Sequence, residues 1–118
     1  MFNFEKLDVW QKAIDFADFI YSETRSFPHE ERFGLTNQMR RAAVSISSNL
    51  AEGSSRMSQT DFARFVEIGT GALFEVVSQS LIAKRQSFLK DEKFRSLYQD
   101  AEELSRMLSG LRKSLLAS

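Results

Sequence analysis

Phe94, Leu97, Ala101, Leu104, Leu108, Leu111 and Leu115 recur at alternating intervals of three and four residues. An α-helix turns once in about 3.6 residues, so this spacing places all seven on one side as an apolar seam. A seam of that kind buries itself only against other helices, and the rest of the chain supplies them. Trp10, Ala13, Ile14, Ala17, Ile20 and Tyr21 mark the buried face of a helix expected from Leu7 to Thr24. Leu35, Met39, Ala42, Ala43, Ile46 and Leu50 fall within roughly 100° of arc on a second, expected from Leu35 to Ala51. Phe62, Phe65, Val66, Gly69, Ala72, Leu73, Val76 and Ala83 line a third, which ends near Gln86, and the seam itself occupies a fourth from Asp91 to Leu116. One proline and five glycines among 118 residues leave few breaks. The expected fold is all-α, an antiparallel up-down-up-down four-helix bundle forming a single domain over residues 1–118.

The connections carry their own signals. Pro28 disfavours helix at Phe27, so the first turn should pass through Ser26, Phe27 and Pro28. Gly53 is able to take the left-handed conformation that closes the second helix. Ser58-Gln59-Thr60-Asp61 reads as a capping box opening the third. Gly69 and Gly71 inside that helix each cost about 1 kcal/mol relative to alanine, which points to a close approach by another backbone or to a bend.

Two helices carry more apolar surface than a lone bundle hides. Val9, Phe16 and Phe19 widen the first helix's apolar arc to roughly 220°, where about 100° suffices. Phe16 and Phe19 are therefore covered either by a loop or by another subunit. Ile68, Phe74, Leu81 and Ile82 lie off the third helix's main stripe. Phe16, Phe19, Phe74 and Leu81 are the candidate oligomer interface.

The chain offers little catalytic chemistry. Without cysteine it has no disulfide, thiolate metal site or thiol nucleophile. A di-metal carboxylate bundle needs histidine on two helices, and the lone His29 sits in a loop beside Pro28. No Gly-x-Ser-x-Gly elbow and no phosphate-cradling glycine loop is present. The expectation is no catalytic residue, no metal, no cofactor and no small-molecule substrate. With no basic n-region and no uninterrupted apolar run of about 18 residues, the chain reads as a cytoplasmic protein rather than a membrane one.

Sixteen basic residues balance sixteen acidic ones, so the chain as a whole exerts no net pull on nucleic acid. The cations are nonetheless grouped along the sequence. Arg40, Arg41, Arg56 and Arg64 flank the second turn, and Lys84, Arg85, Lys90, Lys93 and Arg95 surround the third. Repeated in a ring, either group would hold RNA or DNA phosphates without reading sequence; alone, either is a solvated face with acids interleaved. The second helix also carries a polar seam of Gln38, Ser45, Asn49 and Glu52, with Arg41 at its edge. Gln38, Asn49 and Glu52 either face a neighbouring helix or channel, or Asn49 and Glu52 close the helix and tie down the Gly53 turn. Glu75, among apolar neighbours, is expected to pair with a base at a helix or subunit interface.

The stretch Arg40-Arg41-Ala42 leading into Asn49-Leu50-Ala51-Glu52-Gly53 resembles the signature of the four-helix-bundle family named for 23S rRNA intervening sequences. Lys6-Leu7-Asp8-Val9-Trp10-Gln11-Lys12-Ala13 is similar to that family's opening helix, and Glu31 to Gln38, Gly71, Glu75 and Ile82-Ala83-Lys84 extend the match. Ser47 stands where many members have proline, Ala72 where serine is usual and Val76 where leucine is. The resemblance implies a left-handed bundle assembling as a ring, a homopentamer with a central channel, with no reaction assigned. The family's association with rRNA genes, and a related nucleic-acid-binding accessory subunit of retroelement reverse transcriptases, imply RNA or DNA as partners.

Overall fold

In the computed structural model, which describes residues 1–117, four helices account for most of the chain: α1 (Asp8–Thr24), α2 (Leu35–Gly53), α3 (Gln59–Arg85) and α4 (Asp91–Leu116). Short 3-10 turns at Asn3–Lys6 and His29–Glu31 precede α1 and α2. No strand occurs among the described residues. The helix-to-helix contacts are those of a bundle, an elongated body of 47 × 23 × 22 Å.

Small residues set the closest interface, between α2 and α3. Ala42, Ala43 and Ser47 on α2 and Ala63, Gly69, Ala72 and Ala83 on α3 are all buried. At Gly69 a Cβ would lie 3.5 Å from the Ile46 carbonyl oxygen and 3.8 Å from Asn49 Cβ, ordinary van der Waals contact, so the two helices lie near each other there but leave room for a methyl. Gly71 has open space around it. Around these contacts Ile20, Met39, Ile46, Leu50, Leu73, Leu97, Leu104 and Leu108 form the fully buried core.

Phe16 belongs to that core. It is 2% exposed in the single chain, and Phe19 packs partly buried against the same cluster. The expected cover is a loop or another subunit; for Phe16 this is corrected, since the chain's own core encloses it, while Phe19 stays partly exposed. Tyr21 departs in the opposite sense. Expected in the buried stripe, it is exposed at the end of α1.

The turns differ from expectation in one respect. Gly53 is helical, and no glycine adopts positive φ. It is glycine because a Cβ there would stand 2.7 Å from Phe65 Cβ and 2.8 Å from Phe62 Cδ1. The left-handed residue is Ser87 (φ 65°), after α3, where the Phe88 amide donates to the Ala83 carbonyl at 2.9 Å. Ser58 does open α3, its hydroxyl oxygen accepting from the Asp61 amide at 3.0 Å. At the start of α2 the Glu31 carboxylate takes the capping role, accepting from the Leu35 amide at 3.0 Å. Ser47 is buried in an uninterrupted α2, its hydroxyl donating to the Val44 carbonyl.

By length and composition α3 could cross a bilayer (mean hydropathy 1.3 over its most apolar window), and a third of that window is buried inside the chain.

Candidate functional site

The basic residues that are neighbours in sequence separate in space. Arg40 turns back to α1: its Nε donates to Thr24 Oγ1 at 2.8 Å and its NH2 to the Tyr21 carbonyl at 3.3 Å, and the guanidinium lies 4.6 Å from the Tyr21 ring centroid. Arg56 lies beyond the far end of α2, paired with Glu52 at 3.3 Å and stacked 4.5 Å over the Phe65 ring. The twelve residues from Arg40 to Glu52 span about 18 Å of helix, so the four arginines around the second turn form no single patch. Arg64 reaches only its helical neighbour Asp61, at 3.9 Å.

Around the third turn the cations are largely neutralised. Lys84 and Arg95 converge on Asp91 at 2.9 and 2.8 Å. The Lys84 ammonium beside Asp91 holds its carboxyl below the usual carboxylate range, with Arg95 acting in the same direction. Lys93 reaches Glu23 on α1 at 3.9 Å. Arg85 and Lys90 are exposed and make no ion pair among the described residues. Elsewhere on the bundle, the Glu103 carboxylate accepting from Lys12 pushes that ammonium's pKa up, aided by Asp100 and partly opposed by burial.

The polar seam divides into two parts. Asn49 and Glu52 are used locally: the Asn49 amide donates to the Ser45 carbonyl at 2.8 Å and to its hydroxyl at 3.0 Å, while Glu52 binds Arg56. Gln38, Arg41 and Ser45 instead meet Ala72, Glu75 and Gln79 in an open groove of about 310 Å³ between α2 and α3. Gln79 Oε1 is buried there without a hydrogen-bond partner among the described residues. Glu75 is exposed and forms no ion pair among them, so of the expected alternatives, a helix or a subunit interface, the pairing between helices of one chain is not made.

The outer face of α3 carries several exposed apolar side chains. Phe74 is 60% exposed, Ile68 and Ile82 are 50%, and Leu81 is 38%. From Ile68 to Ala83 the only charged residue is Glu75. On one flank of this ridge lies the polar α2–α3 groove. On the other is a groove of about 520 Å³ where Leu73, Phe74 and Val77 face Tyr98, Ala101 and Arg106 of α4. Tyr98 was not expected at a surface site. Its signal was an aromatic one position off the α4 seam, a place where packing against α1 to α3 does not call for one. No group of three His, Asp or Glu side chains converges among the described residues.

No curated protein matches the chain. Among solved structures it is similar to a protein of unknown function from the S23 ribosomal protein family of Bacteroides thetaiotaomicron VPI-5482, with a TM-score of 0.79 at 23% identity. That alignment covers 89% of this chain and 98% of the other, a likeness of fold. A sequence model of the 23S rRNA-intervening sequence proteins matches residues 5–110, nearly the whole of the four helices. The chain therefore belongs to the 23S rRNA-intervening sequence protein family.

Proposed function

We propose that this protein is a non-enzymatic, self-assembling scaffold or accessory protein of the cytoplasm, a left-handed up-down-up-down bundle whose copies close into a ring of five through the outer face of α3. One observation carries the reading: Phe74, Ile68, Ile82 and Leu81 form an exposed apolar ridge with a single charge along it. Large apolar side chains left exposed together on one helix face, with polar residues flanking them, mark an association site. Gly71 lies on the same face with open space above it, so another backbone can come close there. Glu75, without a partner among the described residues, gains one across such an interface. Sedimentation velocity tests the reading. The unmodified protein should run as an oligomer and Phe74→Asp with Ile82→Asp as a folded monomer; a monomeric unmodified protein at tens of micromolar would refute it.

A second reading, sequence-tolerant RNA or DNA binding by basic patches repeated around the ring, is favoured by Arg41, Arg85 and Lys90, the exposed candidate cations left without an ion pair among the described residues. It predicts gel retardation that weakens steeply with salt and is lost when all three become glutamate. Absence of retardation at every ionic strength removes it.

A further inference from the structure

The groove between α1 and α2 sets two arginines among neutral side chains. About 480 Å³ in volume, it is lined by Tyr21, Asn37, Arg40, Arg41, Val44 and Ser45. Two arginines face it and no carboxylate does. Neither arginine lies within ion-pair distance of an acid among the described residues, in a chain where most of the other candidate cations do.

Hydrogen-bonding capacity at the groove is one-sided. A guanidinium has five N–H donors. Arg40 commits one at Nε to Thr24 and one at NH2 to Tyr21, and the Tyr21 ring supports its plane. Its orientation is set before any ligand arrives, and three donors remain. Arg41 makes no hydrogen bond among the described residues. Ser45 Oγ accepts from Asn49, which leaves its own proton to donate, and Asn37 brings a side-chain amide. A site with two permanent positive charges and a surplus of donors is matched by a compact anion rich in acceptor oxygens.

We propose that this groove binds a phosphoryl group, as a phosphate monoester, a diphosphate or a nucleic-acid phosphate. Arg40 is the preorganised anchor and Arg41, which has no competing bond among the described residues, the second arm. Tyr21, Asn37, Arg40 and Val44 lie on α1 and α2 and take no part in the apolar ridge, while Arg41 and Ser45 also border the α2–α3 groove beside it.

The test is a titration of the ¹⁵N-labelled protein with inorganic pyrophosphate, ionic strength held constant with sodium chloride. Saturable shifts are expected at Asn37, Arg41 and Ser45. Arg41→Gln should weaken binding by about tenfold or more, the usual cost of one charge-assisted contact, while Arg106→Gln in the α3–α4 groove leaves it unchanged. Arg41 is exposed, so this variant should keep its melting temperature and its sedimentation behaviour. Oligonucleotides with and without a 5′ phosphate then separate the sources. Dependence on the terminal group identifies a monoester, and equal binding identifies the backbone. No saturable shift in this groove, or equal affinity in Arg41→Gln, overturns the proposal, whatever sedimentation reports about assembly.

Discussion

Replacing Gly53 by alanine should destabilise the protein, although the same change in an open part of a helix does the opposite. Gly110, within α4, has nothing within 4 Å of a built Cβ. Alanine there removes the glycine penalty of about 1 kcal/mol and should raise stability by up to that amount. At Gly53 the new methyl would meet Phe65 Cβ at 2.7 Å and Phe62 Cδ1 at 2.8 Å. Non-bonded carbons prefer roughly 3.5–4.0 Å, so α2 and α3 must separate or the Phe62 ring must leave its position. Phe65 Cβ is attached to the backbone and cannot step aside. Overpacking of this kind costs about 1–3 kcal/mol, more than a helix-terminal residue regains from propensity. The two variants should differ by about 2 kcal/mol, or roughly 8 °C in melting temperature for a domain of this size. Thermal unfolding followed by circular dichroism at one protein concentration measures the difference. A Gly53→Ala protein that melts as high as Gly110→Ala would show that the α2–α3 contact is looser than the geometry requires.

Phe16→Asp should abolish folding rather than release monomers, since it puts an unpaired charge into the core; a folded monomer by circular dichroism and sedimentation would restore Phe16 to the interface. Arg40→Ala should cost about 1–2 kcal/mol in urea unfolding through loss of its bonds to Thr24 and Tyr21, whereas Arg41→Ala should stay within about 0.5 kcal/mol of the unmodified protein. Asp91 has a folded-state pKa below its unfolded value, so its contribution is fully present above that unfolded value, 3.8, and is lost as pH falls through the lower folded one. Asp91→Asn should therefore flatten the acid limb of the urea-midpoint profile, and an unchanged limb would mean that the Lys84 and Arg95 contacts do not persist in solution.

What could be read from residues alone was local. The number of helices, their ends to within a residue or two, the α4 seam and the Ser58 cap all follow from periodicity and hydrogen-bonding chemistry within a few positions, and the Asn49-to-Gly53 signature carried the family. The tertiary structure decided everything that depends on how each helix is rotated about its own axis. Phe16 and Phe74 are both phenylalanines flanking an apolar stripe, yet one is enclosed and the other faces outward, because α1 sits over its neighbours along its wide face while α3 leaves one side bare. Gly53 could have been a turn or a contact, and only the position of Phe62 and Phe65 distinguishes the two. Arg40 and Arg41 are adjacent in the chain, but Arg40 is held by a threonine sixteen residues earlier and Arg41 by nothing among the described residues. Helix periodicity fixes which residues share a face. The partner that the face meets is chosen by packing between segments far apart in the chain, which no local pattern encodes.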